Sequence, residues 1–430
     1  MAKLVCSKSR LRGQVGIPGS KSHTIRAVVF GSLADGRTII RRPLVSLDAR
    51  SAAACYRTFG AQIDLNAGSA DEPVWRIEGL AGQPRLPENV IDVGNSGTTL
   101  RMALGTASLL DRGAAVFTGD DQIRRRTAGP LLRSLNDLGG RAFSTRGNDL
   151  APYVVSGPLT GGKTEIQAVS SQYLSSLLAC CPLASGDSEI TVTLLNEKPY
   201  VEMTLWWLET LGLRYENQDF KRFRIPGGQR ISGFEIAVPG DFSSATFFLC
   251  AAALAGDEVR LTGLDMSDTQ GDKAVIDYLR QMGASIDIDK DTIIVRQAKL
   301  HGARIDLNAT PDALPAMAVT ACFAEGPTHL ANVPQARMKE TDRIAVMTRE
   351  LTKLGAKVEE LPDGLIVHSS RLRGGLVDGH GDHRVVMALA MAGLVTDEPV
   401  EIEGSEAAAV TFPDFVRLMT DLGAALRETA

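Results

Sequence analysis

Six times along this chain a short polar cluster runs into about twelve mostly apolar residues, then a turn of glycine and acids, then a β-branched run. The openings are GSKSHTIRAVVFGSLADGRTII from Gly19, GNSGTTLRMALGTASLLDRGAAVF from Gly94, SSQYLSSLLACCPLASGDSEITV from Ser170, GDFSSATFFLCAAALAGDEVRL from Gly240, PDALPAMAVTACFAEGPTHL from Pro311 and GDHRVVMALAMAGLVTDEPVEI from Gly381. Each apolar run lacks a polar face, so it predicts a helix buried all round, its polar residues crowded at the N-terminal end. A second helical pattern follows each run and stops at a shared punctuation: Phe59-Gly60-Ala61, Leu138-Gly139-Gly140, Leu211-Gly212-Leu213, Met282-Gly283-Ala284, Leu354-Gly355-Ala356 and Leu422-Gly423-Ala424. Glycine after the last apolar helical residue suits a left-handed C-cap, so each marks a helix end and a strand start. Short β-rich runs at 189–195, 286–288 with 292–295, and 365–367 read as the intervening strands. The pattern as a whole predicts an α/β fold.

A chain of 430 residues exceeds the usual size of a single core, and six repeats divide into three plus three. The equivalent dipeptides Pro18-Gly19 and Pro239-Gly240 precede repeats one and four. They suggest one domain of residues 20–239 and another of 1–19 with 240–430, the strand-like N-terminus completing the second. Two crossings between domains make a hinge, and a hinge lets a cleft close over charged substrates.

Helix N-termini carry unpaired N–H groups and the positive end of the helix dipole, which attract phosphate or carboxylate. Ser20, Asn95, Ser170, Asp241, Asp312 and Asp382 read individually as ordinary caps. Caps alone do not account for Lys21, Arg26, Arg101, Gln172, His383 and Arg384 beside them. Several such ends meeting in one gap would bind a multiply charged anion.

Composition narrows the partners. Hydrophobic residues make up 44%, aromatics 5%, and there are 42 glycines, as in a tightly packed α/β protein. A net charge of −5 disfavours a nucleic acid or an anionic membrane as partner while leaving room for a local basic pocket. The six cysteines, at 6, 55, 180, 181, 250 and 322, form no CxxC and no zinc-like spacing, and read as reduced core residues of a cytosolic protein. The N-terminal MAKLVCSKSRLRG lacks a signal core, and no eighteen-residue apolar run appears, which disfavours secretion and membrane spanning.

Gly19-Ser20-Lys21-Ser22 with Arg26 sets an ammonium, hydroxyls and a guanidinium at a helix start, but it misses the P-loop frame, against a nucleotide kinase. Gly94-Asn95-Ser96-Gly97-Thr98 is a small-residue entry where a ligand can approach backbone, or simply a tight turn. Ser170-Ser171-Gln172 offers neutral hydrogen-bonding groups to a hydroxylated substrate, or an N-cap cluster. Arg124-Arg125-Arg126 lies in a loop before the helix expected near Gly129; it is either a solvated surface or a source of one bidentate phosphate clamp. Lys339-Glu340-Thr341-Asp342-Arg343 is read as opening the second helix of repeat five, as an i,i+3 surface pair or, with Asp312, as paired carboxylates for proton transfer. Asp382-His383-Arg384 adds an imidazole and a further anion clamp.

Taken together, PGSKS, GNSGTTLR, SSQYLS, KPY, PGDFSSA, DALP, KETDR, GDHR and TFPDF resemble the 5-enolpyruvylshikimate-3-phosphate synthase family of enolpyruvyl transferases, in order over essentially the whole chain. The resemblance implies a two-domain inverse α/β barrel, each domain three βαβαββ-type units around a pseudo-threefold axis, with buried helices and outer sheets. It implies transfer of the enolpyruvyl group of phosphoenolpyruvate to the 5-hydroxyl of shikimate 3-phosphate by a monomer, through a tetrahedral ketal, without metal or organic cofactor. Carried over by position, Lys21, Ser22, Arg26, Ser170, Ser171, Gln172, Tyr200, Asp312 and Lys339 would hold shikimate 3-phosphate. Lys21, Gly97, Arg126, Arg343 and Arg384 would grip phosphoenolpyruvate, with Asn95 and Thr98 of the same entry motif among the binding residues. Asp312 is assigned the hydroxyl proton and Glu340 the methylene proton, with Lys21 assisting and His383 as an orienting partner.

The chain departs from the family pattern at several positions. Val410 stands before TFPDF where a lysine is common, which predicts weaker phosphoenolpyruvate binding; a Val410→Lys variant should bind it more tightly. Glu197 precedes KPY where a small hydroxyl residue is common, and a carboxylate there would repel the substrate's phosphate unless turned away. Gln335, Thr127 and Met102 replace a common Asn, Pro and Pro, with consequences for affinity and for the response to glyphosate. Two rivals remain: an enolpyruvyl transferase acting on a UDP-sugar, which usually has a cysteine in the loop corresponding to 120–126, where this chain has none, and an RNA-end-binding or processing repeat protein, which the acidic balance opposes.

Overall fold

The computed structural model describes residues 2–69 and 72–429. The chain divides into two compact units, Lys21–Val238 and Met1–Ser20 with Pro239–Ala430.

In the first unit the helices are α1 (Lys21–Leu33), α2 (Leu47–Thr58), α3 (Gly97–Ala107), α4 (Gly129–Asp137), α5 (Ser171–Cys180) and α6 (Lys198–Thr210). The apolar runs α1, α3 and α5 are buried almost throughout, every residue of α1 from His23 to Leu33 included. Some of their polar side chains are satisfied across neighbouring helices, as where Ser176 Oγ donates to the Arg101 carbonyl at 2.6 Å. A Cβ built on Gly105 would lie 2.5 Å from Ser176 Oγ, so α3 and α5 approach more closely than any larger residue allows. The second helix of each repeat is half-buried: α2 turns Ala49, Ala52, Ala53 and Tyr56 inward.

Three four-stranded sheets cover this unit, all with one connectivity. In the first, Glu235–Ala237 runs parallel to Arg37–Arg41, which pairs antiparallel with Val74–Glu78, itself antiparallel to Gln62–Asp64. The register sets Ile40 opposite Trp75 and Ile236 opposite Ile40. Burial alternates along Arg37–Arg41, one face toward the core and one toward solvent. The parallel edge strand of repeat one thus comes from the far end of the unit's sequence.

The second unit repeats the plan with α7 (Phe242–Ala255), α8 (Val275–Gln281), α9 (Leu314–Cys322), α10 (Arg343–Lys353), α11 (His383–Gly393) and α12 (Phe415–Asp421). All residues of α7, α9 and α11 are buried. Both N-terminal strands serve here: Lys3–Ser7 lies antiparallel between Val400–Glu403 and Ala425–Thr429, and Leu11–Gly16 runs parallel to Gly256–Thr262. The architecture is therefore α/β: among the described residues there are six four-stranded sheets with one strand order, each with a buried, mostly apolar helix in its repeat. The six punctuating glycines have φ between 70 and 101°, the left-handed C-caps that the sequence pattern predicts. The buried apolar side chains form two clusters, one confined to each unit. Among the described residues no helix is long and apolar enough to cross a membrane.

Candidate active site

The expected site residues lie at the N-terminal ends of the buried helices and in the loops beside them. In the first unit Lys21 opens α1 and its ammonium lies 3.2 Å from Asp48 Oδ2, in the first turn of α2. Ser22 follows it, and its carbonyl accepts from Arg26 Nη1 at 3.1 Å. Arg26 is buried and reaches across to α6, donating from Nε to Thr204 Oγ1 and from Nη2 to the Tyr200 carbonyl, both at 3.0 Å. Burial lowers its pKa to about 10, so the guanidinium remains charged at neutral pH. It ties Lys21 and Ser22 to the helix start that carries Tyr200.

Asn95 does not cap α3. Ser96 is the cap residue, and the Asn95 amide donates instead to Asp120 and to Gln122 Oε1, because that loop presents two acceptors to it. The amide thereby pins the loop that ends in the three arginines. Arg126 leaves a short helical turn, Ile123–Arg125, and its guanidinium lies over Gly97: a Cβ there would meet Arg126 Nη1 at 2.7 Å and Arg101 Nη1 at 2.8 Å. The loop backbone is fixed by groups the sequence reading did not assign to the site. Tyr153 Oη donates to the Arg126 carbonyl at 3.0 Å, while Arg101 and Tyr173 both donate to the Thr127 carbonyl, at 3.1 and 2.7 Å.

Ser170 caps α5, accepting from the Gln172 N–H at 3.4 Å, and Gln172 Nε2 donates to Thr98 Oγ1 at 3.0 Å, which joins the starts of α5 and α3. The Gln172 Oε1 atom is buried and has no hydrogen-bond partner among the described residues. Glu197 meets the start of α5, where its Oε2 accepts from the Ser171 N–H at 3.2 Å and from Ser171 Oγ at 2.8 Å. Arg26 thus links Ser22 to Tyr200, and Gln172 links Ser170 to Thr98, while Lys21 pairs with Asp48 and Ser171 with Glu197.

In the second unit the chemistry gathers on Arg343, the first residue of α10, whose side chain is 1% exposed. Its Nη1 is 2.6 Å from Asp312 Oδ1, its Nη2 2.6 Å from Glu340 Oε2 and its Nε 2.8 Å from Asp382 Oδ2. Asp312 also meets Arg384 Nη2 at 3.0 Å and Lys339 Nζ at 3.9 Å. Burial by itself would lower the Arg343 pKa, but Asp382, Glu340 and Asp312 reverse this and raise it above the ordinary value. Burial pushes the Asp382 carboxyl up; Arg343 outweighs that and leaves it below the usual carboxylate range.

Three expectations need correcting. Of KETDR only Arg343 belongs to α10; Asp342 is the cap, accepting from the Ala345 N–H at 3.0 Å, and Lys339, Glu340 and Thr341 precede the helix. The Glu340–Arg343 pair is spaced i,i+3 but is no surface pair, because Arg343 is buried and bonded to three carboxylates while Glu340 is half-buried. Asp312 does not cap α9; it sits in the turn Pro311–Ala313 and spends its carboxylate on the cations. Asp241 and Asp382 do cap, accepting from the N–H groups of Ser243 and Arg384 at 2.9 Å each. Asp382 therefore serves both as cap and as partner of Arg343, a role that local spacing could not reveal. His383 and Arg384 form the buried first turn of α11. Gln335 is buried and donates to the Asn308 carbonyl at 2.9 Å, Val410 ends the turn Ser405–Val410, and Met102 is buried in α3.

The second unit thus holds three carboxylates among Lys339, Arg343 and Arg384. Cations at that density suit an anionic substrate, and oriented carboxylates suit proton transfer. Among the described residues no group of three or more His, Cys, Asp or Glu side chains is arranged to hold a metal ion.

A family model described as EPSP synthase (3-phosphoshikimate 1-carboxyvinyltransferase) matches residues 5–419. The chain is 54% identical over 420 residues to a 3-phosphoshikimate 1-carboxyvinyltransferase of Ruminiclostridium cellulolyticum, with 98% of each chain covered. It is also 54% identical over 417 residues to the enzyme of that name from Acetivibrio thermocellus, with 97% of each covered. The structure of an EPSP synthase from Acinetobacter baumannii matches at a TM-score of 0.82, with 27% identity and complete coverage of both chains.

Proposed function

Because the chain belongs to the EPSP synthase family, we propose that it transfers the enolpyruvyl group of phosphoenolpyruvate to the 5-hydroxyl of shikimate 3-phosphate and releases phosphate. The observation that carries the assignment of roles is the cluster in which Arg343 holds Asp312, Glu340 and Asp382 while Arg384 and Lys339 flank Asp312. Glu340 delivers a proton to the methylene carbon of phosphoenolpyruvate, and Asp312 takes the proton of the 5-hydroxyl as its oxygen bonds to the adjacent carbon. The resulting ketal then loses phosphate, and the new methyl group returns a proton, which restores the double bond. The sum is balanced without an oxidant, a metal or an organic cofactor. Lys21, Ser22, Arg26, Asn95, Thr98, Ser170, Ser171, Gln172, Tyr200 and Lys339 hold the acceptor and orient the partner substrate. Gly97, Arg126 and Arg384 grip phosphoenolpyruvate, His383 orients the site, and Arg343 aligns the two proton carriers as well as contributing charge.

Most of the residues given to the acceptor belong to Lys21–Val238, as do Gly97 and Arg126, whereas both proton carriers, with Lys339, Arg343 and Arg384, belong to the other unit. The enzyme acts as a monomer in the cytoplasm, a compartment suited to its six buried free thiols. A phosphate-release assay tests the reaction: phosphate should appear with phosphoenolpyruvate and shikimate 3-phosphate together. Release with UDP-N-acetylglucosamine instead would transfer the activity to the UDP-sugar class, and release with neither would end the proposal.

A further inference from the structure

Glu197 combines three features that ordinary caps do not. Its backbone is left-handed, with φ 57°, a conformation an L-residue with a long side chain rarely adopts. The residue is 2% exposed, and its carboxylate sits on the N–H and hydroxyl of Ser171 at the start of α5. A carboxylate on those donors is a tethered anion in a site made for anions. Ser170 and Ser171 are among the residues that the proposed function gives to the acceptor, and the family resemblance sets the acceptor's phosphate beside position 197; this inference rests on that assignment. Two anions cannot share the Ser171 N–H and hydroxyl without strong repulsion at hydrogen-bond range.

We propose that Glu197 is an internal stand-in for the acceptor's phosphate, and that shikimate 3-phosphate must displace it from Ser171 in order to bind. Displacement moves a buried carboxylate away from its donors, so part of the phosphate's binding energy is consumed and affinity falls. An acceptor without the phosphate leaves Glu197 where it is. Glu197 is therefore a specificity-determining residue: only a ligand anion that competes better than a carboxylate takes this seat.

Glu197→Ser and Glu197→Asn test the idea by equilibrium binding, with circular dichroism to check that each variant is folded; asparagine tolerates the left-handed backbone and protects the test should serine fail. Shikimate 3-phosphate should bind both variants roughly tenfold more tightly than the parent, the scale of a lost charge-assisted contact, while shikimate itself binds all three alike. Inorganic phosphate should compete with shikimate 3-phosphate more strongly in the variants. Equal or weaker binding of shikimate 3-phosphate by the folded variants would overturn the proposal and make Glu197 a fixed support for Ser171. Failure of the parent enzyme to release phosphate would instead strike the proposed function, so the two failures are separable.

Discussion

Arg343 shows how a single side chain decides what its neighbours do. With its guanidinium bonded to Asp312, Glu340 and Asp382, it fixes the orientation of both proposed proton carriers. Asp312→Asn and Glu340→Gln keep size and hydrogen bonding while removing the transferable proton site. Each should lower kcat by about 10²- to 10⁴-fold and weaken substrate binding far less, read from steady-state rates beside equilibrium binding; near-normal turnover in either variant means its role is misassigned. Gly97 makes a different case. A methyl group there meets the guanidinium groups of Arg126 and Arg101 at under 3 Å, so Gly97→Ala should shift those side chains and raise the KM for phosphoenolpyruvate several-fold. The melting temperature should hardly move, since the groups displaced are the far ends of flexible side chains; a large loss of stability with unchanged KM would place Gly97 in the packing instead.

In the proposed function the helix starts are the working parts, and neighbouring elements hold them in place. The segment leading into α11 is secured by Glu350 of α10, whose carboxylate accepts from Lys353 Nζ at 2.7 Å and the Asp378 N–H at 3.0 Å, and lies 2.8 Å from His380 Nε2. Burial pushes the Glu350 carboxyl up, but these bonds and one from Arg349 outweigh it and bring the pKa down to about 2. A carboxyl depressed in the folded state adds stability above its unfolded pKa of about 4.5, and that stability disappears as pH falls toward about 2. Glu350→Gln should therefore be less stable than the parent at pH 7, and the gap should close between about pH 4.5 and 2, as measured by denaturant unfolding across that range. A gap that persists at the acid end would assign the loss to packing. The element scale also marks where sequence reading stopped: Ser170 and Asp241 were readable as caps from composition, whereas Asp312 looked like one and is bound to cations instead.

Each of the two units closes its own core. The buried apolar cluster of the first lies entirely between Ile25 and Val238, and every strand of its sheets finds its partner inside the unit. Residues 21–238 produced alone should fold and melt cooperatively, followed by circular dichroism. Removing residues 1–7 from the full chain should leave that unit intact and disrupt the other, whose Val400–Glu403 and Ala425–Thr429 pair through Lys3–Ser7; loss of both units together would show that they are not independent. What the sequence determined unaided is the repeated part: apolar runs without a polar face must be buried as helices, and glycine stops those helices through its own φ preference. Both are local effects, set within a few residues along the chain, and so a single sequence displays them. Only the tertiary structure decided that Asp312 and Asp382, 31 and 39 positions from Arg343, share its guanidinium, and that Glu197 reaches Ser171. Those contacts depend on which helix ends the packing of the core brings together, and no spacing along the chain encodes that.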